Sequence, residues 1–145
     1  MKSIYKTTNY DSVSEILKKI NEIENKQEAV YFLKTHDNKS VRYFIDAYYN
    51  KDFSFMEGDI DHDYSREIKG MEYSNIQKEA KRLDTILAIG EKNKKTLKLC
   101  EILLESINKD DADLIKNALF NKQIMKIKKS VFKEVYPSFF LWSQN

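Results

Sequence analysis

Six lysines and no acid lie between positions 116 and 133: Lys116, Lys122, Lys126, Lys128, Lys129 and Lys133. That is six positive charges over 18 residues, in a chain whose formal net charge is only +2. The chemistry open to such a run is phosphate neutralisation. Lysines that contact a nucleic-acid backbone displace condensed counterions and give sequence-independent, salt-sensitive binding. A second cluster, Lys92, Lys94, Lys95 and Lys98, precedes it. If the fold brings the two together, they form one basic patch; otherwise each is a solvated helix face.

No other group of residues carries a specific chemistry. The acidic stretch from Asp59 reads D-I-D-H-D-Y-S-R-E-I-K-G, and its first three acids have calcium-loop spacing. Such a loop needs glycine sixth and a bidentate glutamate twelfth. Tyr64 and Gly70 stand there instead, so a solvated acidic loop is expected. His36 and His62 are the only histidines, and neither has a second ligand at zinc spacing. No Ser–His–Asp or Cys–His set can be assembled. Three glycines, at 58, 70 and 90, leave no phosphate-cradling glycine loop. The expectation is a protein that is not an enzyme and needs no cofactor or metal.

The elements that must position the lysines read as helices. Hydrophobic residues make up 41% of the chain and charged residues 33%, which suits a folded helical protein rather than a disordered one. One proline and three glycines give little punctuation for strands and turns. Ser12 and Glu15 fit a capping box opening a helix with Ile16, Leu17, Ile20 and Ile23 inward. Ala29, Val30 and Leu33 mark a second helix. Asp37 or Asn38 caps a third, reaching about Tyr49, with Val41, Phe44, Ile45 and Tyr48 as its stripe. Arg42, Tyr43 and Tyr49 fall off that stripe, either filling the core or marking a nucleic-acid surface. Residues 1–10 read as a loose leader, and 51–73 as an irregular acidic surface loop.

Ser74 and Gln77 form a second capping-box pattern before a helix that Gly90 stops. Asn93 or Thr96 opens the next, with Leu97, Cys100, Leu103, Leu104 and Ile107 inward. Cys100 on that apolar face reads as a buried structural thiol; as the only cysteine it excludes an intrachain disulfide. Asp110 or Asp111 opens a helix carrying Leu114, Ile115, Ala118 and Leu119. A last helix covers about 128–135 and stops before Pro137. Residues 138–145 form an apolar tail whose Phe139, Phe140, Leu141 and Trp142 either enter the core or anchor a partner protein. The sum is a compact, single-domain, all-α bundle of about seven helices. No signal peptide or membrane span is apparent, so a cytoplasmic protein is expected.

The pattern from Ile102 to Pro137, with I-L-L-E-S-I, K-D-D-A-D-L-I and a basic segment closing on V-Y-P, resembles the end of the N-terminal DNA-binding domain of ATP-dependent DNA ligases. The chain also resembles a family of uncharacterised small proteins of large tailed phages. The ligase nucleotidyltransferase motif K-x-D-G is absent. The resemblance therefore implies a helical DNA-binding fold without ligase chemistry, in the host cytoplasm if the protein is phage-encoded. By that resemblance Lys122, Lys126, Lys128 and Lys129 would grip duplex DNA, with Lys94 and Lys95 behind them. The alternative partner is a host or phage replication or transcription protein.

Overall fold

Seven α-helices follow one another in the computed structural model, which describes residues 12–53, 55–56 and 74–140. They are α1 (Val13–Glu22), α2 (Lys26–Thr35), α3 (Lys39–Asn50), α4 (Ala80–Ile89), α5 (Lys94–Ser106), α6 (Lys109–Leu119) and α7 (Lys129–Val135). A 3-10 helix, Pro137–Phe140, follows α7. The expected all-α fold is the observed one; no strand occurs among the described residues, only an isolated bridge between Ser74 and Ile107.

Asparagine sets most of the helix starts. Asn25, Asn38, Asn93 and Asn108 open α2, α3, α5 and α6, each accepting from an amide three residues on at 2.9–3.0 Å. An N-cap oxygen satisfies one of the amides that a helix start leaves unpaired, worth about 1 kcal/mol. Asn38, not Asp37, caps α3, and Asn93 makes a reciprocal box with Thr96. Asn108 opens α6, in place of Asp110 or Asp111. Gly90 ends α4 at φ 66°, a left-handed conformation that favours glycine. Asn121 does the same for α6 at φ 59°. There the amides of Asn121 and Lys122 reach back to the carbonyls of Ala118 and Asn117 at 3.4 and 2.7 Å, a Schellman ending.

The second expected capping box does not form. Ser74 is drawn into the bridge, its amide donating to the Ser106 carbonyl at 2.8 Å. Asn75 accepts from the Lys78 amide at 2.8 Å, and the Gln77 amide goes to Ser40 Oγ at 3.1 Å. A turn therefore precedes α4, which starts only at Ala80.

The core is continuous. Val13, Ile16, Leu17 and Ile20 of α1 meet Phe44 of α3, Leu104 of α5, Ile115 of α6 and Phe132 of α7 within one buried cluster. The helices pack in the series α4–α5–α6–α1–α2–α7, with α3 on α1 and the 3-10 helix on α3 and α7. The start of the expected acidic loop also belongs to the core. Phe53 and Met56 are buried, and the Met56 amide donates to the Leu119 carbonyl at 3.0 Å. Their apolar side chains outweigh the acids that follow in deciding where this segment lies. The leader 1–10 and positions 57–73 lie outside the described residues.

One buried carboxylate joins the two helices at the centre of the series. Asp111, only 1% exposed, accepts from Ser12 Oγ at 2.9 Å, Ser14 N at 2.8 Å and Val13 N at 3.2 Å. Asn108 Nδ2 approaches its other side at 3.5 Å, and Ser12 Oγ accepts from Glu15 N at 3.4 Å. Every amide of the first turn of α1 is thereby satisfied, two of them by a side chain from α6 almost 100 positions later. No lysine or arginine pairs with Asp111 among the described residues. The positive ends of the α1 and α6 dipoles hold its charge.

Two tyrosine hydroxyls tie α3 to its neighbours. Tyr43 donates to Asp84 of α4, which also takes Lys51 Nζ at 3.2 Å. Tyr136 donates to Asp37 at 2.6 Å, and Asp37 takes Arg42 Nε at 3.0 Å. Tyr43 and Tyr49 thus fill the fold, as the core reading of the aromatics has it. Burial, then the bonded carboxylate, pushes the Tyr43 and Tyr136 hydroxyls above their ordinary value of 10.0; burial raises Tyr49 as well. Because the folded values are the higher ones, this stabilisation is complete below about pH 10 and is lost as pH rises through the folded values. Urea midpoints are expected to fall above pH 10, and the Tyr43→Phe/Tyr136→Phe variant to fall less steeply. An equal decline in both proteins would sink this attribution.

Candidate nucleic-acid interface

α1 ends at Glu22 because Ile23 takes an extended conformation, φ −90° and ψ 116°, and α2 restarts three residues later behind Asn25. The irregular segment 122–128, arriving from α6, runs past this break. Two bonds fix it there. Asn21 Nδ2 donates to the Lys126 carbonyl at 2.9 Å, and Lys128 Nζ donates to the Ile23 carbonyl at 2.8 Å. The second bond places a cation at the C-terminal end of α1, where the helix dipole favours it.

Between these elements lies a groove of about 370 Å³. Lys26, Lys126, Lys128 and Lys129 line it with Ser130, over apolar side chains of Ile23, Ala29, Ile127 and Val131. Glu24 is the one acid in the lining. Lys26 also meets Glu134 at 3.4 Å, both side chains about half exposed (49% and 44%). A pair so exposed is worth roughly 0–1 kcal/mol, so an incoming anion displaces it readily. Lys129 lies over the rings of Tyr49 and Phe140, at 5.4 and 5.7 Å from their centroids. Lys128 and Lys129 are therefore oriented by the fold, while the Lys126 side chain is exposed.

The six lysines that the ligase resemblance assigns to DNA do not all line this groove. Lys126, Lys128 and Lys129 line this groove; Lys94, Lys95 and Lys122 do not. Lys94 and Lys95 occupy the first turn of α5. There the neighbouring Lys92 sits 5.5 Å from the Phe120 ring centroid, which sets the start of α5 against the end of α6, next to Lys122. α5 packs chiefly on α4 and α6, whereas the groove is built on α2, α7 and the 122–128 segment. Lys26 was missed. The available signal was its place at the first position of a helix, where a cation opposes the dipole.

A second cavity, of about 430 Å³, lies between α1 and α6 and has the opposite character. Glu15, Asp110 and Asp113 line it against a single lysine, Lys18, with Leu114, Ile124 and Met125. Lys109 bridges Asp113 at 3.1 Å.

The C-terminal aromatics divide. Phe140 is only 2% exposed and packs on Tyr49 at 5.0 Å between centroids. It is a core residue, and the expectation of a partner anchor at this position is corrected: burying its ring against α3 removes more apolar surface from water than exposure would allow. Phe139 is half-buried, its ring 5.1 Å from that of Tyr136. Leu141 and Trp142 lie outside the described residues.

Cys100 is fully buried, and burial, with Glu101 nearby, pushes its thiol up to about 12, so it is a structural thiol as expected. His36 ends α2 with its ring 4.4 Å from Phe32. Among the described residues no helix is long and apolar enough to cross a membrane. No family model, curated protein or solved structure matches this chain.

Proposed function

We propose that this protein binds the phosphate backbone of duplex DNA without catalysing a reaction, as a phage accessory factor. One observation carries the reading: Lys26 joins Lys126, Lys128 and Lys129 around a single groove. Four cations stand against Glu24 and the Glu134 that pairs with Lys26, an excess of positive charge in a chain nearly balanced overall. Placement adds support. Lys26 and Lys129 each take the first helical position, where a cation opposes the dipole by about 0.3–1 kcal/mol. A bound phosphate relieves that opposition.

The test is fluorescence anisotropy with a labelled duplex across a salt series. Up to four phosphate contacts predict a log–log salt slope of about −2 to −4, so affinity falls by roughly one to two orders of magnitude between 50 and 200 mM salt. Charge reversal belongs at Lys26 and Lys126, because Lys128 and Lys129 also hold the fold. Lys26→Glu/Lys126→Glu is expected to weaken binding at least about tenfold and to flatten the slope by about 2. No binding at 50 mM salt, or an unchanged slope in that variant, overturns the reading. A salt-tolerant partner of the groove would instead be a protein.

A further inference from the structure

We propose that the groove between α4 and α5 is a second, separate phosphate-binding surface, so that one molecule holds two DNA backbone segments at once. The inference rests on the DNA reading above and extends it to a different part of the fold.

This groove, of about 410 Å³, is lined by Lys78, Glu79, Lys81, Arg82, Thr85 and Leu99. Three cations face one acid. That acid is already engaged: Glu79 bonds the Arg82 guanidinium one turn along, with side chains only 16% and 34% exposed. The pair fixes Arg82, while Lys78 and Lys81 stand exposed. Leu99 brings α5 into the wall, and Lys95, four residues earlier, shares its helical face.

The two basic grooves have no lining residue in common. The first is built on α2, α7 and the 122–128 segment, the second on α4, α5 and the turn before α4, so they share no element. Each groove is thus suited to its own segment of DNA, and two segments on one molecule amount to bridging.

A biotinylated duplex on beads, the full-length protein and a second, fluorescent duplex test this directly at 50 mM salt. The native protein is expected to capture the second duplex. Lys78→Glu/Lys81→Glu, at two exposed positions, is expected to keep the native melting temperature and to bind a single duplex within about threefold of native affinity. Its capture of the second duplex should fall at least about tenfold. Capture equal to native in that variant overturns the second surface while leaving the first groove standing. A native protein that binds one duplex in anisotropy but captures no second one overturns it as well. Absence of any duplex binding removes both readings, and anisotropy alone identifies that case.

Discussion

Asp111→Ala is expected to cost about 3–5 kcal/mol of stability and to lower the melting temperature by about 10–15 °C. The size follows from what the substitution strands. Val13 and Ser14 are 0% and 4% exposed, and their amides lose their acceptor, as does the Ser12 hydroxyl. A buried donor left unpaired costs about 1–3 kcal/mol, and water has little access here. Asp111→Asn separates shape from acceptor count. Its single carbonyl, in the place of Oδ1, can keep both Ser12 and Ser14, but its amide group then presents donors to the Val13 amide, so about half the loss is expected. Ser12→Ala removes one bond to Asp111 and the α1 cap, for about 1 kcal/mol. Because Asp111→Ala and Ser12→Ala strike one network, their double variant should lose less than the sum. Urea unfolding of the native protein and the four variants measures all of this. A loss under about 1 kcal/mol for Asp111→Ala would falsify the shared-cap account.

What was legible in the sequence was local. The stripes of α1 and α3, the asparagine start of α5 and the Gly90 stop are patterns within a few residues, set by helical period and cap chemistry. Asp111 shows the boundary of that legibility. As an acid in the first turn of α6 it reads as a dipole complement, and it is one. Nothing near it in sequence announces that it also supplies the acceptors for α1, because the pairing spans 97–99 positions. The Tyr136–Asp37 bond spans 99 positions and was equally invisible. The candidate site shows the same division. The lysine run named three of the four cations of the first groove, yet its spacing said nothing of where α2 begins, so Lys26 was absent. Lys78 in the turn before α4, and Lys81 and Arg82 within it, were overlooked for a different reason: Glu79 lies among them and Asp84 follows, and charge counting along the chain cancels what burial and pairing keep apart.

Phe140→Ala is expected to lower stability by about 3–4 kcal/mol, measured by thermal or urea unfolding. Its ring is buried against Tyr49, and the 3-10 helix carrying it is held twice more. Asn50 Nδ2 donates to the Phe139 carbonyl at 2.7 Å, and the Phe139 amide donates to the Tyr136 carbonyl at 3.0 Å. Truncation leaves a cavity that these bonds keep from collapsing, which is the condition for a large loss. Phe139→Ala, at a half-buried ring, should cost only about 1–2 kcal/mol. An anchor for a partner protein would give the opposite pattern, with unchanged stability in the isolated protein and lost association. The substitution also reaches the basic groove, since Lys129 lies over the Phe140 ring as well as that of Tyr49. A cation–π contact is worth about 0.5–1 kcal/mol at an exposed site, so losing one ring should weaken duplex binding by about two- to fivefold under conditions where the variant is still folded. Lys129→Gln tests the coupling from the other side. If Phe140 acts on binding through Lys129, the Phe140→Ala substitution should weaken binding no further once Lys129 is neutral.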